Sequence, residues 1–113
     1  MADAFSLALG GLEVRCGAPL EGSTIVELRG ELDSVSVPVL REVLDRLYAQ
    51  GTYRIRVDLR ELGFIDSSGL GALVGAWRSC SANDGSVEVL NPTPTVRQLL
   101  EMTGINRFLL PGG

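Results

Sequence analysis

Hydrophobic residues recur along this chain with two different periods, and the switches between them mark out its elements. In "FSLALGGLEVRC", residues 5 to 16, apolar and polar positions alternate on either side of Gly10-Gly11, which predicts two short strands joined as a hairpin. "STIVELRG" continues as a strand carrying Ile25, Val26 and Leu28 and ending at Gly30, with Asp33 just beyond its carboxyl end. The period then changes. Leu40, Val43, Leu44, Leu47 and Tyr48 fall at helical spacing, while Arg41, Glu42, Asp45 and Arg46 take the other side. Ser36 is placed to cap this first helix, Pro38 fits its first turn, and Gly51 marks its end.

Alternation returns in "YRIRVDL", with Tyr53, Ile55 and Val57 on one face and Arg54, Arg56 and Asp58 on a wetter one. A short loop is expected next, followed by Phe64 and Ile65 leading into Asp66. Leu70, Leu73, Val74 and Trp77 then predict a second helix, with Trp77 in the core or half-buried. Its small residues Gly71, Ala72, Gly75 and Ala76 would let it approach the sheet closely, although each interior Gly costs about 1 kcal/mol relative to Ala. "SVEVLN" reads as a strand and "TPTVRQLLEMTG" as a third helix, started near Pro94 and stopped by Gly104. "INRFLL" is expected to add a last strand before the "PGG" tail.

Strands alternating with helices imply an α/β fold with a mixed, mostly parallel β-sheet, made mixed by the N-terminal antiparallel hairpin, and helices packed on it. On that topology Asp33 and Asp66 both follow strand carboxyl ends and share one rim, where ligands and partners of such folds bind. A length of 113 residues suits a single domain spanning residues 1–113.

Composition narrows the chemistry. Hydrophobic residues make up 45% of the chain but aromatics only 5%, so the core must be built from Leu, Val, Ile and Ala. The net charge of −4 and ten scattered cations, all Arg, argue against a nucleic-acid surface, which needs clustered positive charge. Cys16 and Cys80 are far apart, no C-x-x-C is present and the chain has no His, so a metal site is not expected and the thiols read as reduced, half-buried fillers. The start "MADAFSLALGG" lacks the features of a signal peptide, and no apolar run approaches the roughly 20 residues of a membrane span. A cytoplasmic, soluble protein is expected.

The most distinctive stretch is "GFIDSSGLGALVG", residues 63 to 75. Here a strand turns directly into a helix whose first N–H groups need acceptors, so Asp66, Ser67 or Ser68 could serve as caps, with Gly69 easing the turn. Asp33 likewise has two roles open to it, capping the turn before the first helix or contacting a partner. An acyl-transfer nucleophile would need G-x-S-x-G and a base; neither serine has glycine at both offsets, and no His exists to activate one. Tight nucleotide binding is disfavoured because the Walker pattern is absent and there is no Lys. A phosphate carried covalently by a serine, in contrast, suits a helix N-terminus, where N–H donors and the positive dipole end converge.

"GELDSVSVPVLREVL", then "VDLRELGFIDSSGLGALVGAWR", then "VEVLNPTPTVRQLLEMTGINRFL" together resemble the anti-sigma factor antagonists, small bacterial STAS-domain proteins of the sporulation and general-stress type. The resemblance covers nearly the whole chain. It implies a STAS fold, no catalysis and no cofactor. It also implies that Ser67, directly after the motif Asp, is phosphorylated by an anti-sigma factor that is itself a serine kinase. Asp33, Asp66, Ser68, Gly69, Leu70 and Gly71 match the remaining motif positions and are the expected partner-binding residues. The mechanism implied is partner switching in transcription regulation. The unmodified form binds the kinase and frees the sigma factor, phosphorylation abolishes that binding, and a PP2C-type phosphatase resets the switch. The chain would act as a monomer or weak dimer. The alternative is a STAS scaffold or binding module, in a stress-signalling or transport assembly, whose serine is never modified.

Overall fold

The computed structural model describes residues 4–110; the "PGG" tail lies outside them. Five strands form one sheet in the order β1 (Phe5–Leu9), β2 (Leu12–Cys16), β3 (Ser23–Leu32), β4 (Arg54–Ile65) and β5 (Ser86–Leu90). The first two pairings are antiparallel and the last two parallel, so the sheet is mixed, with the hairpin where the sequence puts it. Gly10 and Gly11 both have positive φ, +61° and +84°, the backbone a two-residue hairpin turn demands. Helices α1 (Val37–Ala49), α2 (Ser67–Ala82), α3 (Pro94–Thr103) and α4 (Asn106–Leu109) are the helical elements among the described residues.

Burial alternates along each central strand. Val26, Leu28, Ile55, Val57, Leu59, Val87 and Val89 are buried beneath the helices, whereas Glu27, Arg29, Arg54 and Arg56 stand on an uncovered face. On that face Arg29 pairs with Glu61 at 3.3 Å and Arg56 with Glu88 at 3.7 Å. These pairs are more than half exposed except at Glu88, and each adds well under about 1 kcal/mol. The stability lies on the other face, where Leu40, Val43, Leu44 and Leu47 of α1 and Leu70, Leu73 and Ala76 of α2 close over the sheet.

Three expectations about the elements are corrected. First, β3 does not stop at Gly30 but runs on to Leu32. Second, no loop precedes Phe64; β4 is one strand of 12 residues. Its register against β3 slips between Glu27 and Arg29 and again between Gly30 and Glu31, and each slip inserts an extra residue that breaks the alternation. A bulged strand therefore mimics a strand plus a loop. Third, "INRFLL" contains the short helix α4 and no strand. Ile105, Phe108 and Leu109 lie at i, i+3 and i+4, which brings Phe108 onto Trp77, ring centroids 5.0 Å apart, and buries Leu109.

Other details shift as well. Cys16 and Cys80 are fully buried, not half-buried, and burial raises both thiol pKa values. On α2, Ala72 and Ala76 face inward, but Gly71 and Gly75 point outward into open space and bring nothing closer to the sheet. Gly71 and Gly75 instead line a shallow groove with Arg41, Leu44 and Tyr48 of α1.

Tyr48 stacks on Tyr53, centroids 5.3 Å apart, and sinks its hydroxyl beside Cys80 and Ser79 without a hydrogen bond of ordinary geometry. Burial, more than the neighbouring Cys80, raises the phenol's pKa above its usual range. An unsatisfied buried hydroxyl costs about 1–3 kcal/mol. Tyr48→Phe should therefore raise stability by about 1 kcal/mol, seen as a higher urea midpoint at an unchanged slope. A lower midpoint would reveal a hydrogen bond to Ser79 or Cys80.

Candidate functional site

The site grows from two neighbouring strand ends. Leu32 of β3 and Ile65 of β4 are paired, and the Asp66 N–H donates to the Leu32 carbonyl at 3.2 Å. Asp33 and Asp66 therefore leave the sheet side by side on one rim. Asp66 then starts a helix and Asp33 the turn that leads into one, and each carboxylate is committed to that task.

Asp66 is the N-cap of α2, extended at φ −112° and ψ −173°. Its Oδ1 accepts from the Gly69 N–H at 3.0 Å, and its carbonyl accepts from the Leu70 N–H at 2.9 Å. This is the capping role open to it in the sequence. Gly69 is buried, and no other residue fits there. A Cβ at that position would lie 2.7 Å from Ile65 Cγ1 and 2.8 Å from both Leu32 Cγ and the Leu32 carbonyl. The glycine lets the first turn of α2 rest on the ends of β3 and β4. That tight seat carries Ser67 and Ser68.

Asp33 caps the turn before α1, one of the two roles open to it. Its Oδ1 accepts from the N–H groups of Val35 at 3.0 Å and Ser36 at 3.1 Å. Ser36 Oγ accepts in return from the Asp33 N–H at 3.0 Å and donates to the Glu31 carbonyl at 2.9 Å. Ser36 is fully buried and makes no side-chain cap to the helix itself. The reciprocal pair is a capping box displaced one turn upstream, and it ties the turn before α1 to β3. Ser36, expected as a simple N-cap, is in fact the buried anchor of the rim.

Ser67 occupies the first helical position of α2 and is exposed; Ser68 behind it is half-buried. With Asp66 spent on Gly69, the Ser67 and Ser68 N–H groups lack intrahelical acceptors, and the helix opens its positive end toward Ser67. No acidic residue lies in the first turn of α2 itself. A phosphoryl group on Ser67 would thus find N–H donors beside it, and a visiting enzyme would find the hydroxyl uncovered. Leu70 is only 8% exposed and contributes mainly to the core, whereas Gly71 is exposed one residue further on. Of the residues expected to meet a partner, then, Ser67 and Gly71 are surface, Asp33, Asp66 and Ser68 half-buried, and Gly69 and Leu70 buried.

A mixed sheet with helices on one face and an Asp-Ser-Ser-Gly turn at its rim corresponds to the STAS domain, whose family model matches residues 18–111. Anti-sigma-B factor antagonists of Staphylococcus epidermidis and Staphylococcus aureus strain NCTC 8325 are 35% and 38% identical to the chain over 84 residues. In both cases the match covers 74% of this chain and 78% of the relative. Among solved structures, the unphosphorylated anti-sigma factor antagonist SpoIIAA aligns with a TM-score of 0.76 at 28% identity, covering 86% of this chain and 85% of that one. The phosphorylated form of Bacillus SpoIIAA aligns at 0.70, also at 28% identity, covering 86% and 88%. The chain belongs to the STAS family and, within it, to the anti-sigma factor antagonists. No helix among the described residues is long and apolar enough to cross a membrane.

Proposed function

We propose that this chain is a cytoplasmic antagonist of an anti-sigma factor, switched by phosphorylation of Ser67. The observation that carries the reading is the contrast between the two serines and their cap. Asp66 and Gly69 are consumed in building the helix entrance, while Ser67 is exposed and set at the positive end of α2. The phosphorylated and unphosphorylated structures of the relative SpoIIAA support it, since a phosphate-bearing member keeps the fold seen here.

The physical consequence is a surface switch. A phosphoserine adds about −1.5 to −2 charges at pH 7 and three acceptor oxygens. Its own helix N-terminus tolerates that charge, so the domain keeps its shape. The rim already carries Asp33 and Asp66, and the added charge and bulk make it repel a surface that fitted the bare hydroxyl. The unmodified chain binds the anti-sigma kinase and releases sigma; the phosphorylated chain lets the kinase recapture it. A PP2C-type phosphatase would remove the tag. With no His in the chain, Ser67 lacks the usual activating base, and the chain is the kinase's substrate and regulator, not a catalyst.

The test is to incubate the purified chain with each candidate anti-sigma kinase and ATP. The expected result is a gain of one phosphate that is absent in Ser67→Ala and retained in Ser68→Ala. No incorporation with any candidate would favour the unmodified scaffold reading.

A further inference from the structure

The rim presents more than the serine. Of the three valines flanking the start of α1, Val37 and Val39 are buried, but Val35 is 63% exposed. Its placement is not loose. The Val35 N–H is held by Asp33 Oδ1, and its Cγ1 lies so near the hairpin tip that a Cβ on Gly10 would stand 2.8 Å away. Leu9, the residue before that tip, is 58% exposed. The two side chains thus stand on neighbouring segments, the turn before α1 and the tip of the β1–β2 hairpin, at the end of the sheet that carries Ser67. One ladder row runs from Leu9 through Leu12 and Gly30 to Leu62, which sets Leu9 three strand spacings from β4, about 14 Å.

We propose that Val35, with Leu9 beside it, is the apolar contact by which the kinase partner recognises this chain. This deepens the Ser67 reading and rests on it. Any protein that transfers phosphate to Ser67 must lay a surface over the entrance of α2. A stable interface covers about 800 Å² on each side, a disc roughly 32 Å across. Val35 follows Leu32 by three residues and Ser67 follows Ile65 by two, and Leu32 and Ile65 are paired, so the two positions are within roughly 22 Å even at full stretch. A footprint of that size that includes Ser67 has room for Val35 as well, and Leu9, next to Gly10 at the side of Val35, falls at its margin. An apolar side chain buried at an interface core adds affinity by leaving water, and exposed rim charges mainly tune the on-rate. The acids here cannot supply that core, because the carboxylates of Asp33 and Asp66 are already engaged by the chain's own N–H groups. The partner's matching surface is consequently apolar, a shallow hollow that receives a branched aliphatic side chain.

The molecule supplies its own control. Leu20 and Ile25 are also exposed, 76% and 46%, but lie at the opposite end of β3, seven residues or more from Leu32 and so over about 20 Å from the rim. The experiment is calorimetric titration of the kinase that phosphorylates wild-type protein, using wild type, Val35→Asp, Val35→Ala, Leu9→Asp, Leu20→Asp and Ile25→Asp. Each variant is first checked by circular dichroism and melting. Val35→Asp should bind at least about tenfold more weakly, with Val35→Ala and Leu9→Asp several-fold weaker, and the two distal variants within about twofold of wild type. Binding by folded Val35→Asp and Val35→Ala equal to wild type would overturn the inference and leave the Ser67 reading intact. If wild type itself bound no candidate kinase and gained no phosphate, both would fall together.

Discussion

Ser67→Asp is expected to bind the kinase partner about 100-fold more weakly than the unmodified chain while melting within a few degrees of it. The two halves of this expectation come from different parts of the same geometry. Stability is preserved because position 67 is the first residue of α2, where an acidic side chain meets free N–H donors and the positive helix end, a gain of about 0.3–1 kcal/mol. Affinity is lost because the serine is exposed on a rim that already holds two carboxylates, so a third confronts the partner. Titration and thermal melting of the same sample separate the two. Unfolding of Ser67→Asp would mean that the hydroxyl is part of the fold, and undiminished binding would mean that the partner does not read this position.

Gly30→Ala should be the most damaging small change near the site, lowering the melting temperature by more than about 10 °C. Gly30 sits within β3 at φ +110°, outside the regions a residue with a Cβ adopts at low cost. A methyl group there would lie 2.0 Å from the carbonyl oxygen of Gly11, and that same oxygen accepts the Glu31 N–H at 3.1 Å. Backbone strain of about 1–3 kcal/mol adds to overpacking of similar size, against a total stability of about 5–15 kcal/mol. The hairpin tip would have to move, taking its contact with Val35 along. Thermal denaturation of the variant checks this, and a shift of only a degree or two would show that the β2–β3 junction yields at little cost.

Much of this architecture was legible from periodicity, because the elements that pack on one face advertise it. The stripe from Leu40 to Tyr48, the Gly10-Gly11 turn and the Thr93-to-Gly104 helix all appear where their residues indicate. The misread stretches share a cause. In "VDLRELGFI" two inserted residues break the alternation, since pairing with a neighbour, and not local pattern, sets a strand's length. Gly30 looked like a strand end because a glycine is ambiguous until its φ and neighbours are known. "INRFLL" carries the helical spacing of Ile105, Phe108 and Leu109, outweighed on reading by its β-prone residues, and Trp77 decides for the helix.

At the site, the motif located the rim but not the division of labour within it. Asp66 and Gly69 look equally available to a partner in a string of letters, yet one is spent on a cap and the other sits against two strands. The reciprocal pair of Asp33 and Ser36 was missed, although D-x-x-S ahead of an apolar run is a capping-box spacing with serine in the place of the usual Glu or Gln. Nothing local marks Val35 as the exposed member of three valines. That distinction requires the turn imposed by the box.

The most direct test is to titrate one anti-sigma kinase with two samples of the chain, one unmodified and one phosphorylated to completion on Ser67, under identical conditions. The unmodified sample should bind and the phosphorylated one should show at least about a hundredfold loss, with superimposable circular dichroism spectra. Equal affinity for the two, or a loss accompanied by unfolding, would contradict a switch that works through surface charge at the entrance of α2.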